Sequence, residues 1–244
     1  MKLLINGRWR LSLSELEKRV DKKDDNSFLY WINHSLPAIR QHASGQLKVM
    51  EKTKAICPDI KTVNEHFGGS GIGTMIIQNV FKPARHNVWD IDPICVDNIY
   101  QNHPNGKVNI RIGDARETMI ETEPADFTVL DFNRFTATHI DSWKQQFDVV
   151  FGRHPKAVHI TDTALSKVPL LKRYFSQALG KDITDKESYL KGYSSYFFHA
   201  YGYAMRFAAY SNFACMVFIP SDQERNPELY KLNKEDGLVA LQAW

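Results

Sequence analysis

The sequence predicts an α/β fold built around a mostly parallel β-sheet, and three observations support this prediction. A short β-prone segment beginning at Thr62 leads into a loop with four glycines among six residues, and a helical pattern follows directly. Between residues 61 and 220, β-prone and helix-prone segments alternate. The predicted parallel strands end at acidic residues, and the carboxyl ends of such strands form the edge where open α/β sheets bind ligands.

Residues 1–60 are predicted to form an N-terminal extension made of a hairpin and helices. Two short strands flank Asn6-Gly7, which is a favoured two-residue hairpin turn. A capping box at 12–15 opens a first helix, a second helix ends before Pro37, and a third covers 46–56. We expect the extension to pack on the domain that follows it. A lid over the substrate is the alternative role.

Residues 61–220 are predicted to form one domain with seven strands. After the strand that begins at Thr62, their predicted bounds are 86–90, 108–112, 126–130, 157–160, 203–210 and 213–220. The last two strands are expected to form an antiparallel hairpin. Predicted helices follow the glycine loop at 74–80, begin at Pro93, and cover about 164–179 and 185–200. Residues 221–244 are predicted to be a C-terminal tail.

The composition excludes several classes of protein. No run approaches the ~20 apolar residues that a membrane span requires, and the first residues become polar too soon for a signal peptide. The three cysteines are far apart and form no C-x-x-C pair, and no two of the nine histidines have i,i+4 spacing. We therefore expect a cytoplasmic protein with no disulfide framework, no metal site and no membrane partner.

Charge is distributed unevenly along the chain, although the net charge is only +3. Residues 61–150 carry 8 basic and 12 acidic side chains. The flanking segments are mildly basic, with 11 basic and 7 acidic side chains in residues 1–60 and 12 and 9 in residues 151–244. This distribution permits a polyanionic substrate, such as a nucleic acid, that the flanks approach.

Three kinds of ligand use a glycine loop between a strand and a helix. A P-loop requires a lysine after its last glycine, but Thr74-Met75 follows Gly73. The dinucleotide fingerprint requires a third glycine where this chain has Thr74. S-adenosylmethionine carries a sulfonium and an ammonium group, which suit the acidic Glu65 just before the loop. A glycine-rich turn without a ligand is the structural alternative.

Residues 62–220 resemble the class I S-adenosylmethionine-dependent methyltransferases. Glu65-His66-Phe67-Gly68-Gly69-Ser70-Gly71 is similar to the family's acidic glycine loop, in a form close to that of nucleic-acid amino-methyltransferases. The resemblance implies a Rossmann-like three-layer fold whose seven-stranded, mostly parallel sheet ends in an antiparallel hairpin. It also implies that Asp90 binds the ribose and that the segment from Gly113 to Ala115 contacts the adenine. The implied cofactor-binding residues are Glu65, Phe67, Gly68, Gly69, Ser70, Gly71, Asp90, Ile91, Asp114 and Ala115.

The resemblance also implies a catalytic position after the fourth strand of the domain. Asp131 occupies the position that faces the methyl group, and Asn133 offers an amide in the same turn. Amino-methyltransferases that act on bases carry Asn/Asp-Pro-Pro-Tyr/Phe here, whereas this chain has Asp131-Phe132-Asn133-Arg134 without either proline. A fainter resemblance to tRNA guanine N2-methyltransferases includes the Thr161-Asp162 pair after the next strand.

The sequence thus predicts an S-adenosylmethionine-dependent methyltransferase that acts on a nucleic-acid base or amine. One alternative is a methyltransferase-like fold that no longer catalyses and serves as a binding or structural module. Another is an NAD-dependent oxidoreductase, against which Thr74 counts. The sequence gives no prediction of the oligomeric state.

Overall fold

A computed structural model describes residues 3–5, 9–11, 36–69, 71–102, 108–132, 140–162, 176, 182–211 and 213–232. The strands within these ranges are β1 (Leu3–Ile5), β2 (Trp9–Leu11), β3 (Thr62–His66), β4 (Arg85–Asp90), β5 (Asn109–Ile112), β6 (Phe127–Asp131), β7 (Ala157–Asp162), β8 (Tyr203–Tyr210), β9 (Ala214–Pro220) and β10 (Glu228–Lys231). The helices are α1 (Leu36–Ile56), α2 (Ile72–Val80), α3 (Pro93–Asn102), α4 (Ala115–Glu121), α5 (Lys144–Gly152) and α6 (Lys186–Tyr201), with a 3₁₀ turn at Ile140–Trp143.

Eight strands form one sheet in the order β10-β8-β9-β7-β6-β3-β4-β5. Five strands, in the spatial order β7-β6-β3-β4-β5, are each parallel to their neighbours. In contrast, β9 is antiparallel to both β7 and β8. The predicted Rossmann-like architecture with a closing hairpin is therefore confirmed. At the edge, β10 adds an eighth strand parallel to β8, within the segment that the sequence predicted to be a tail.

Two apolar layers cover the faces of this sheet. On one face, α1 and α2 pack on strand residues such as Val63 and Val129, and Met50 and Ile76 of the two helices are fully buried. The other face carries an aromatic layer from α5 and α6, which includes Phe147, Tyr189, Tyr193, Phe151 and Phe197. Burial of these large side chains supplies most of the driving force for the fold.

Local sequence explains where several helices begin and end. Asp114 caps α4 by accepting a hydrogen bond from the amide of Arg116 at 2.8 Å. Asp185 and Ser188 form a capping box at the start of α6, which ends at Gly202 with a φ of 72°. Both devices satisfy backbone groups that a helix leaves unpaired at its ends.

Most predicted boundaries agree with the structure within two residues. The hairpin at Asn6-Gly7 is confirmed, since Leu3 pairs with Leu11 across it. The predicted helix at 46–56 is too short, because α1 begins ten residues earlier. The predicted helices that begin at 12 and 164 fall almost entirely outside the described residues. Among the described helices, none is both long and apolar enough to cross a membrane.

Candidate active site

A tight turn joins β3 to α2 at the centre of the sheet. Phe67, Gly69 and Gly71 have φ values of 66°, 52° and 79°, in the left-handed region that favours glycine. Gly71 is the N-cap of α2 and provides no side-chain cap, so the first amides of the helix face the loop without competition from a capping side chain. Such a helix start attracts polar and anionic ligand groups. Ser70 lies outside the described residues.

Gly68 lets the loop pass close to β4 and α3. Its amide donates a hydrogen bond to the carbonyl of Trp89 at 3.0 Å. A Cβ at this position would lie 2.6 Å from Cγ1 of Val88 and 2.7 Å from Cδ1 of Ile99. The position therefore requires glycine for packing reasons alone.

Asp90 ends β4 and joins it to the glycine loop. Its Oδ2 accepts a hydrogen bond from the amide of Gly69 at 2.7 Å, and its Oδ1 accepts one from the amide of Asp92 at 2.8 Å. Burial raises the pKa of Asp90 above its ordinary value, and these two hydrogen bonds oppose the rise. Each carboxylate oxygen retains a second lone pair, so the group can still accept a hydrogen bond from a ligand.

Glu65 lies beneath α2 and is only 1% exposed. Its Oε2 accepts hydrogen bonds from the Thr74 hydroxyl at 2.8 Å and from Nε2 of His86 at 2.9 Å. The side-chain amide of Gln78 donates to Nδ1 of His86, which leaves the proton of a neutral His86 on Nε2. Burial raises the pKa of Glu65, and the bonds from His86 and Thr74 offset part of the rise.

An apolar corner lies next to Asp90. Ile91 is 66% exposed and Ile112, the register partner of Asp90 on β5, is 61% exposed. The amide of Gly113 donates to the carbonyl of Asp90 at 3.0 Å, so the two segments are held together. Asp114 uses its side chain to cap α4, and Ala115 is buried within the first turn. Exposed aliphatic side chains at this corner suit the face of a flat aromatic ligand.

Asp131 ends β6 on the face of the sheet that α1 covers. Its Oδ2 accepts a hydrogen bond from Nε2 of Gln46 at 2.9 Å and lies 3.5 Å from Nε2 of His42. Burial would raise the pKa of Asp131, but His42 and Gln46 outweigh burial and hold it below its ordinary value. The carboxyl group is therefore charged at neutral pH. Asn133 lies outside the described residues.

Aromatic side chains line the loop on the opposite face. Phe67 packs against Phe132 with ring centroids 4.8 Å apart, and both contact Trp143. The guanidinium of Arg116 lies 5.5 Å from the centroid of the Trp143 ring. Phe67 and Trp143 are half-buried, so part of each ring faces solvent.

The structure brings some predicted site residues together and separates others. The charge of Asp131 contributes to the raised pKa of both Glu65 and Asp90, so these three carboxylates share one region. Asp114 is turned toward its own helix instead. In the part of the chain that is described, no group of three or more His, Cys, Asp or Glu side chains is placed to hold a metal ion.

Sequence reasoning missed Gln46, His42 and Trp143. Gln46 is 85 residues from Asp131 in sequence, and it belongs to a helix whose start the sequence did not predict. The one available signal for Gln46 is a polar residue on the same helical face as the apolar Val49 and Met50.

Known structures resemble this chain at the level of the fold. No protein-family model matches it, and no curated protein matches it either. The structure of Trm1 from Pyrococcus horikoshii with S-adenosyl-L-methionine matches with a TM-score of 0.57, covering 99% of this chain and 64% of that one at 11% identity. The structure of magnesium protoporphyrin IX methyltransferase (ChlM) from Synechocystis PCC 6803 with bound SAH matches with a TM-score of 0.51, covering 85% of this chain and 94% of that one at 9% identity. The structure of an O-methyltransferase family protein from Burkholderia thailandensis matches with a TM-score of 0.50, covering 87% of this chain and 68% of that one at 15% identity.

These matches and the strand order identify the fold as that of class I S-adenosylmethionine-dependent methyltransferases. The resemblance stated from sequence motifs is therefore confirmed for the fold. Activity and substrate depend on the site itself.

Proposed function

We propose that this chain is an S-adenosylmethionine-dependent methyltransferase that methylates the exocyclic amine of a nucleic-acid base. The hydrogen bond from the amide of Gly69 to Asp90 carries the proposal, because it fixes the glycine loop to the carboxyl end of the next strand in this fold. The loop and Asp90 therefore lie together at the carboxyl edge of the sheet, which is where α/β proteins bind ligands.

The residues at this edge fit the chemistry of the proposed cofactor. Asp90 would hold the ribose hydroxyls, since each of its oxygens can accept a further hydrogen bond. Ile91 and Ile112 would pack against the adenine ring. Glu65 is buried beneath α2, so it would act on the cationic end of the cofactor only through the electrostatic attraction of its ionised form, which burial disfavours.

The charged state of Asp131 favours an amine over a hydroxyl group as the acceptor. A hydroxyl requires a base to remove its proton, and a carboxyl group with a lowered pKa is a weak base. The exocyclic amine of a base has a lone pair that is partly delocalised into the ring, and hydrogen-bond acceptors on its N–H groups can direct that pair toward the methyl group before any proton is lost. Bound S-adenosylmethionine would supply the methyl group, with a new N–C bond forming as the C–S bond breaks and leaves its electron pair on sulfur. The methylated nitrogen would then release one proton to solvent.

Three features support a nucleic acid as the substrate. The Phe-Gly-Gly-Ser-Gly loop resembles that of nucleic-acid amino-methyltransferases, and both segments that flank the acidic central one are mildly basic. The half-buried rings of Phe67 and Trp143, with Arg116 beside them, would give a base a surface for stacking.

Transfer of a labelled methyl group from S-adenosylmethionine to a panel of RNA, DNA, protein and metabolite extracts tests the proposal. We expect label in RNA or DNA, and we expect Asp131→Ala to lower the labelling at least about tenfold, because no side-chain acceptor remains at this position to orient the amine. Label in the protein or metabolite fraction alone would contradict the nucleic-acid substrate. Cofactor binding without transfer to any extract would support a silent binding module instead.

Calorimetric titration with S-adenosylhomocysteine tests the cofactor site separately. Asp90→Ala removes the group that holds Gly69 and receives the ribose, so we expect affinity to fall by at least about tenfold. Asp97→Ala is the control, because it removes an exposed carboxylate from α3 without touching the loop. Equal losses in both variants would contradict the assignment of Asp90.

A further inference from the structure

Helix α1 brings polar side chains to the carboxyl group of Asp131. Gln46 is fully buried, and His42 lies one turn before it on the same helix. The side-chain amide of Gln46 donates to Oδ2 of Asp131 at 2.9 Å. A segment predicted to be an extension of the domain therefore reaches the position proposed to orient the methyl acceptor.

The pair retains two buried acceptor atoms. Oδ1 of Asp131 and Oε1 of Gln46 have no hydrogen-bond partner among the described residues. A buried acceptor without a donor is energetically unfavourable, so such atoms commonly mark a functional group or a bound water. A hydrogen bond joins the side-chain amide of Gln46 to the carboxyl group of Asp131, so the two acceptor atoms belong to one hydrogen-bonded pair of side chains.

Gly73 of α2 lies against both Glu65 and the side-chain amide of Gln46. A Cβ at Gly73 would lie 2.8 Å from Oε1 of Glu65 and 3.8 Å from both terminal atoms of the Gln46 amide. The amide is thus confined between α2 and Asp131. Confinement of this kind fixes the orientation of a side chain at little entropic cost, as a positioning role requires.

We propose that Gln46 is a positioning residue that holds Asp131 by Oδ2, so that Oδ1 of Asp131 and Oε1 of Gln46 together receive the N–H groups of a primary amine. The inference rests on the proposed function and extends that site to α1. Two amines have the required chemistry, namely the exocyclic amine of the methyl acceptor and the α-amino group of the cofactor.

Several titratable groups act on the Asp131 carboxyl group. They are His42 on α1, Glu65 on β3, Asp90 on β4, His159 on β7 and Cys215 on β9. Replacing Gln46 leaves all of these in place. A change in the titration of Asp131 would therefore report the loss of the Gln46 hydrogen bond.

Carbon-13 NMR titration of the side-chain carboxyl groups tests the positioning role without any methyl transfer. In Gln46→Leu we expect the pKa of Asp131 to rise, because a hydrogen bond that favours the charged form is lost. Thr53→Val is the matched control, since Thr53 is equally buried on α1 and its hydroxyl donates to the carbonyl of Val49 on the same helix. An equal pKa of Asp131 in both variants would overturn the proposal.

Binding and kinetics distinguish the two amines. Unchanged affinity for S-adenosylhomocysteine in Gln46→Leu, with kcat lowered at least about tenfold and KM for the nucleic acid within about threefold, indicates the amine of the methyl acceptor. Weaker binding of S-adenosylhomocysteine with unchanged binding of 5′-methylthioadenosine indicates the cofactor's amino group. No change in either measurement overturns the two-acceptor site. If the pKa of Asp131 shifts in Gln46→Leu but the wild type transfers no methyl group, Gln46 still positions Asp131. The proposed methyltransferase function is then refuted.

Discussion

Single residues in the glycine loop adopt conformations that the motif alone does not specify. The pattern of glycines predicted the turn, because the turn depends on neighbouring residues. It did not predict that Phe67 adopts a φ of 66°, which costs a non-glycine residue about 1 kcal/mol or more. Its contacts with Phe132 and Trp143 compensate for this cost, and those residues lie far along the chain.

Gly68 and Gly152 form a matched pair for testing the packing of the loop. Gly68→Ala would place its Cβ 2.6 Å from Val88, so we expect a loss of about 1–3 kcal/mol in the free energy of unfolding. Gly152→Ala meets nothing within 4 Å at the end of α5, so we expect it to be neutral or slightly stabilising. Urea denaturation measures both. A Gly68→Ala variant as stable as Gly152→Ala would contradict this account.

The candidate site was predictable from sequence only where it is local. Asp90 and the glycine loop were recognisable because their spacing is fixed by one strand–helix–strand unit. The burial of Glu65 was not, since it depends on His86 from the next strand. The contact of Asp131 with Gln46 could not be predicted from the sequence either, because only tertiary packing brings the two residues together.

At the scale of elements, α1 shows why the helical prediction was too short. Its first half buries His42, Ser44, Gly45 and Gln46, which interrupt the apolar periodicity that signals a packed helix. Gly45 allows close packing, because a Cβ there would lie 2.9 Å from Cδ1 of Leu232 and the leucine side chain would have to move. A polar buried face of this kind resembles a loop in sequence, although it packs as a helix.

Met50 tests whether α1 folds together with the sheet. Met50→Ala removes a fully buried side chain from the apolar layer that α1 shares with α2 and the sheet. We therefore expect the free energy of unfolding to fall by about 2–5 kcal/mol. Thermal unfolding should remain a single transition at a lower midpoint, by both far-ultraviolet and near-ultraviolet circular dichroism. Glu51→Ala, an exposed neighbour, is expected to change stability by less than about 0.5 kcal/mol. An unchanged transition of the sheet in Met50→Ala would show that α1 is a separable appendage.

At the scale of the whole molecule, buried histidines link stability to pH. Burial lowers the pKa of His159 to about 4 and that of His66 to about 3, from an ordinary value of 6.5. The unfolded chain therefore binds protons between pH 6.5 and 4 that the folded chain does not. Stability falls as the pH drops through this window, whereas above it both states of these histidines are neutral.

His159→Gln isolates one of these contributions. Glu65 and Asp90, whose pKa values are raised, act in the opposite direction over part of the same range, so the difference between variant and wild type is the informative quantity. As the pH falls from 6.5 to 4, we expect the free energy of unfolding of the wild type to decrease by up to about 3 kcal/mol relative to that of His159→Gln. Above pH 7 the difference should be constant. Parallel curves of unfolding free energy down to pH 4 would refute the linkage.

The position of β9 has a consequence for synthesis on the ribosome. It lies between β7 and β8, although both of those strands are made before it. Until Pro220 leaves the exit tunnel, the nascent chain has two open strand edges that face a gap. Chaperones that bind exposed strand edges would find sites there, and translational pausing before residue 214 would prolong the exposure.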